Sequence, residues 1–154
     1  MSIMVVGLSH RSAPLEVLER LTLDASGVDK LISAVVDVSH VTEATALSTC
    51  NRLEVYTEVE RFHGTVEEIS RLLLGGAPGD PVDPELISHL YVHYGDAAVS
   101  HLFSVGAGLD SMVVGEGQIL GQVREALRIG QEHGSVGASL NLLFQQALRV
   151  GKRS

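Results

Sequence analysis

The chain has 154 residues, 45% hydrophobic and 19% charged, enough apolar material for one globular core and too much for a disordered segment. No apolar run approaches the ~20 residues of a membrane helix, and the start, MSIMVVGLSHR, has no signal-peptide pattern. A single cysteine excludes an internal disulfide and suits a reducing cytoplasm, and the net charge of −8 excludes an indiscriminate nucleic-acid binder.

Residues 3–8 form a short apolar run ended by Ser9-His10, which predicts a buried strand. Pro14 suits the first turn of a helix reaching about Leu21. Val28, Leu31, Ile32, Val35 and Val36 keep helical spacing and predict an amphipathic helix capped by Asp24 or Ser26. A strand follows over about 42–48. After Thr49-Cys50-Asn51 the pattern alternates. Leu53, Val55, Thr57 and Val59 point one way and Arg52, Glu54, Tyr56 and Glu58 the other, which predicts a half-buried strand with one polar face. Val66, Ile69, Leu72 and Leu73 mark a helix that stops at Gly75-Gly76. Residues 77–84 are expected to form a surface loop, and 90–93 a short strand. Asp96 is expected to cap a helix running to about Gly108. Ile119, Leu120, Val123, Leu127 and Gly130 predict another helix. Ser139 is the expected cap of the last, which carries Leu140, Leu143, Ala147 and Val150.

This order predicts an α+β domain: a split β-α-β-β-α-β antiparallel sheet, ferredoxin-like, covered by helices, with additional C-terminal helices. The chain stops at Gly151-Lys152-Arg153-Ser154 without a helix stop signal, so a continuation is expected. The charge is uneven along it. Residues 1–119 hold six basic and seventeen acidic side chains, net −11; residues 120–154 hold five basic and two acidic, net +3. The basic stretch reads as a solvated helical face or as a local phosphate-facing patch.

Three places carry chemistry. Cys50 alone reads as a small buried thiol. Its position at a polar strand-to-strand turn, two residues from Arg52, also fits an exposed, activated thiolate. The same turn offers backbone N–H groups to an oxyanion. His101 lies in an apolar stretch beside Val99, Leu102 and Phe103. It is either a satisfied core histidine or an acid, base or orienting group near Cys50. Residues 108–118 cluster glycines, Asp110, Ser111, Glu116 and Gln118 ahead of a helix. They read as an ordinary loop, or as a pocket for a small zwitterion, with Glu116 on its ammonium and Arg52 forked onto its carboxylate. Gln118 and Gln122 share a helix face. His89 and His93 are four apart, but a strand there breaks metal-binding geometry and no third ligand stands out, so no metal is expected. Gly106-Ala107-Gly108 is only a fragment of a dinucleotide motif and sits inside a predicted helix.

Four strings, in order and across most of the chain, resemble one family: Gly7-Leu8-Ser9-His10-Arg11-Ser12-Ala13-Pro14, Leu47-Ser48-Thr49-Cys50-Asn51-Arg52-Leu53-Glu54-Val55-Tyr56, Ala98-Val99-Ser100-His101-Leu102-Phe103, and the run 108–123. They are similar to the N-terminal catalytic domain of bacterial glutamyl-tRNA reductases, with Gly117 standing where many members have proline. The resemblance implies an NADPH-dependent oxidoreductase of tetrapyrrole (porphyrin, haem) biosynthesis. Glutamyl-tRNA would be captured as a thioester and reduced to glutamate-1-semialdehyde. It implies Cys50 as nucleophile and His101 as the supporting histidine. Thr49, Asn51, Arg52, Ser111, Glu116, Gly117, Gln118 and Gln122 would line the substrate site. It implies a catalytic domain over 1–138 and the start of a spinal helix over 139–154. The NADPH and dimerisation domains would lie beyond this chain, in a cytoplasmic homodimer that passes product to an aminomutase. Without the nicotinamide site the chain is expected to act at most as a slow esterase. The competing readings are a non-enzymatic aminoacyl-tRNA-binding module and a stand-alone cysteine thioesterase.

Overall fold

The computed structural model describes residues 2–76, 81–109 and 118–153. In chain order these form β1 (Ser2–Ser9), α1 (Leu15–Leu21), α2 (Ala25–Val36), β2 (Val41–Ser48), β3 (Arg52–Val59), α3 (Thr65–Leu73), α4 (Pro84–Ile87), β4 (Tyr91–Tyr94), α5 (Asp96–Gly106), α6 (Gln118–His133) and α7 (Ala138–Lys152). The strands lie in the order β2-β3-β1-β4, each antiparallel to its neighbour. That is the split βαββαβ sheet the sequence predicts.

Helices cover both faces of the sheet. Met4, Val6 and Leu8 of β1 join Leu53, Val55 and Val59 of β3 in one core beneath α1, α2 and α3. Val5, Leu47 and Tyr56 point the other way, into a second core built with α5, α6 and α7. The near-continuous apolar run of β1 follows from this, since a strand covered on both sides needs no polar face. The same fact corrects the reading of β3. Its alternation predicts a face turned to water, yet all eight of its residues are buried. The polar set Arg52, Glu54 and Tyr56 instead lies on the α5–α7 side. Alternation alone cannot tell a wetted face from a buried polar one.

Two caps also differ from expectation. Asp24 does cap α2, accepting from the Gly27 N–H at 2.8 Å. Asp96, however, is the first helical residue of α5, whose cap is Gly95 with φ of 63°. α7 is capped by Gly137, not Ser139. Its free N–H groups are taken by a residue distant in sequence. The Glu43 carboxylate on β2 accepts from Gly137 N (2.7 Å), Leu140 N (2.9 Å) and Ser139 N (3.2 Å). A carboxylate at a helix N-terminus is also favoured by the helix dipole. The expected 77–84 loop is partly helical, because Pro84 opens α4 behind the Asp83 cap; residues 77–80 lie outside the described ones. Among the described residues no helix is long and apolar enough to cross a membrane.

Candidate functional site

The β2–β3 connection presents Cys50. Ser48 pairs with Leu53, so the hairpin closes through Thr49, Cys50 and Asn51. Thr49 shapes the loop. Its N–H donates to the Arg52 carbonyl (2.9 Å), and its Oγ1 accepts from the N–H groups of Asn51 (3.1 Å) and Arg52 (3.2 Å). The Asn51 carbonyl accepts from His10 N at 2.9 Å, which pins the loop to the end of β1. A loop held at four points leaves its middle residue outward, and Cys50 is exposed. The buried-thiol reading is therefore excluded. These bonds also narrow the oxyanion reading: the amides of Asn51 and Arg52 already serve Thr49, and the N–H of Cys50 is the loop amide not used by them.

A small pocket opens beside the thiol, lined by Thr49, Cys50, Asn51, Arg52, Gln118, Ile119 and Gln122. Six residues singled out from the sequence thus meet in one place, supplied by the hairpin loop and the first turns of α6. Ser111, Glu116 and Gly117 lie outside the described residues.

Behind the pocket sits a buried polar cluster centred on Glu54. Its side chain is 0% exposed and Arg52 beside it is 1% exposed. Glu54 accepts from the hydroxyls of Tyr56 (2.8 Å) and Tyr91 (2.5 Å), and Arg52 Nη1 lies 3.4 Å away. His101 Nε2 on α5 completes the set with a short contact to Glu54 Oε2. Burial by itself would raise the Glu54 pKa. The hydrogen bond and charge of His101, the charge of Arg52 and the Tyr91 hydroxyl outweigh it and lower the pKa to about 2. The carboxylate is therefore ionised at neutral pH. Burial, and then the Glu54 charge, push the Tyr56 and Tyr91 hydroxyls well up, so both remain donors. His101 stacks on His93 at 4.4 Å and packs beside Tyr91.

The cluster needs space on the sheet. Gly7 on β1 faces Glu54, where an added Cβ would lie 2.7 Å from Glu54 Cγ and 2.8 Å from the Leu53 carbonyl oxygen. Gly7 thus opens the place Glu54 fills. Both expectations for His101 are sharpened. It is satisfied by a partner, and it reaches the Cys50 pocket through Glu54 and Arg52 instead of lining that pocket. Glu54 is the residue sequence reasoning missed. The signal available was a carboxylate on the same strand face as Arg52, and the polar-face reading hid it.

His89 and His93 have separate partners. His89 Nδ1 lies 3.1 Å from the Ser12 carbonyl oxygen, whereas His93 stacks on His101. In the basic C-terminal stretch, Arg128 is neutralised on its own helix by Glu125 and Glu132.

The family model for the N-terminal domain of glutamyl-tRNA(Glu) reductase matches residues 6–154. Glutamyl-tRNA reductase 1 of Nocardioides sp. is 64% identical over the whole chain, and the glutamyl-tRNA reductase of Streptomyces avermitilis is 57% identical. The chain spans 35% and 27% of their lengths. Among solved structures, glutamyl-tRNA reductase from Methanopyrus kandleri superposes with a TM-score of 0.79 at 32% identity, over 98% of this chain and 33% of that one. By sequence and by fold, the chain belongs to the glutamyl-tRNA reductase family, as its N-terminal domain.

Proposed function

We propose that this chain captures the glutamyl group of glutamyl-tRNA as a thioester on Cys50. The observation that carries the reading is the exposed Cys50 on a pinned loop, sharing one pocket with Thr49, Asn51, Arg52, Gln118 and Gln122. The Cys50 thiolate attacks the aminoacyl ester carbonyl, and an S–C bond forms. The carbonyl oxygen becomes an oxyanion, for which the Cys50 N–H is the loop amide left over by the bonds that pin the turn. Collapse breaks the C–O bond to the terminal ribose. The tRNA leaves as an alkoxide that takes a proton. The Arg52 guanidinium and the Gln118 and Gln122 amides hold the polar ends of the amino acid. A thioester is the right product for this task, because it is electrophilic enough for later reduction where a carboxylate is not.

NADPH, homodimerisation, transfer to an aminomutase and a cytoplasmic location are properties we assign to the longer protein. The described residues do not fit a dinucleotide, since no strand among them runs into a glycine-rich loop and helix. The chain by itself should deacylate glutamyl-tRNA slowly as water takes the thioester. Replacing Cys50 by Ser is expected to remove that activity, read as release of labelled glutamate. A variant that keeps the parental rate contradicts the assignment.

A further inference from the structure

α6 and α7 run in opposite directions along the sheet, and this brings one cluster of charges to the nucleophile's end. Gln118 and Gln122, at the start of α6, line the Cys50 pocket. Further along, Thr45 Oγ1 donates to the Ala126 carbonyl (2.6 Å), and past the end of the helix Ala44 N donates to Ser135 O (2.8 Å). α6 is therefore antiparallel to β2. α7 starts at Glu43, near the beginning of β2, and returns toward the start of α6. At Gly151 an added Cβ would lie 2.5 Å from Leu120 Cδ1 and 2.7 Å from the Gly106 carbonyl oxygen. The last turn of α7 thus packs on the first turn of α6, at the Cys50 end of the sheet.

Arg149, Lys152 and Arg153 on or next to that turn, and Arg124 on α6, are all exposed. Among the described residues none of the four is paired with a carboxylate. Arg128, further from Cys50, is neutralised by Glu125 and Glu132. The positive balance of the C-terminal stretch is therefore concentrated near the nucleophile. On the opposite face of the sheet, α1 and α3 expose Glu16, Glu19 and Glu67. A polyanion approaching this molecule is attracted at one end and repelled by the far face.

We propose that Arg124, Arg149, Lys152 and Arg153 form the surface that receives the sugar-phosphate backbone at the acceptor end of the tRNA. This deepens, and rests on, the reading of Cys50 as the residue that takes the ester. Exposed basic side chains bind phosphates as point charges. Such contacts set register and orientation and carry no base sequence. Their role is to bring a 3′ end to the thiol, while the pocket reads the amino acid.

The test compares two acyl donors on this chain: glutamyl-tRNA, and the small benzyl thioester of glutamate, which carries no phosphate. Intact mass reports the glutamyl adduct on Cys50. The triple variant R149A/K152A/R153A is expected to slow adduct formation from glutamyl-tRNA about tenfold or more at low salt and to leave the benzyl thioester rate unchanged. Deacylated tRNA, whose binding needs no reaction at Cys50, should bind the triple variant more weakly. The slope of log affinity against log salt should fall by roughly one for each phosphate that is no longer neutralised. R149K/R153K, which keeps the charges, should behave like the parent, and so should Arg128→Ala. Unchanged tRNA affinity and salt slope in the triple variant overturn the proposal, as does an equal loss on both donors. If the parent forms no adduct with either donor, the Cys50 reading fails, and tRNA binding still decides the surface.

Discussion

At the residue scale the site is organised by a charge that never meets solvent. Glu54 is an ionised carboxylate with no exposure, stabilised by two hydroxyls, an imidazole and a guanidinium. A buried charge persists only when its partners replace the water it has lost. The pH consequence has a definite sign. The folded pKa of about 2 is depressed from 4.5, so the contribution is complete above pH ~4.5 and is lost as pH falls toward 2. A shift of that size corresponds to about 3 kcal/mol. Glu54→Gln is expected to cost roughly that much at pH 7 and to flatten the stability curve between pH 4.5 and 2. Denaturant midpoints across that window check it. An equally steep loss in the variant would place the acid sensitivity elsewhere. The polar strand-to-strand turn of Thr49, Cys50, Asn51 and Arg52 was legible in the sequence, but the cysteine alone read as a buried thiol, and only the resemblance carried by the surrounding strings singled it out. Glu54 was not, because its alternation is the same whether the face meets water or a layer of helices.

At the element scale, Glu43 joins β2, which leads to Cys50, to α7, which carries the basic turn. Three backbone N–H groups at the start of α7 depend on its carboxylate. Glu43→Ala should destabilise the chain by roughly 2 kcal/mol, at the upper end for a missing cap. Amide exchange at Gly137, Ser139 and Leu140 should quicken ahead of the sheet, whereas Glu43→Gln keeps an acceptor and should lose less. Exchange unchanged in the alanine variant would contradict this role. The amphipathic helices α2, α3, α6 and α7 were legible from spacing, since each buries one stripe. The caps of α5 and α7 were not. A glycine at positive φ and a carboxylate 94 residues from the cap it serves leave no local signature, whereas Asp24, which caps its own helix, does.

At the scale of the whole molecule, the split βαββαβ order was legible from the sequence of strand and helix patterns. That both faces would be covered showed only as the unbroken apolar run of β1. The sheet separates the acidic α1–α3 layer from the layer holding the site, and its β2–β3 hairpin presents the thiol at one end. The same division bears on what the domain does unaided. With no dinucleotide fold among the described residues, this chain should bind NADPH negligibly by calorimetry, and tight binding would contradict the division of labour proposed for it. The most direct measurement is trapping. The chain is incubated with glutamyl-tRNA labelled in the amino acid, quenched in acid and digested, and the peptide bearing Cys50 is isolated. Labelled glutamate is expected on that peptide through an acid-stable, hydroxylamine-sensitive bond, absent in Cys50→Ser. Label on another residue, or tRNA deacylated without label ever reaching Cys50, would contradict capture at this thiol.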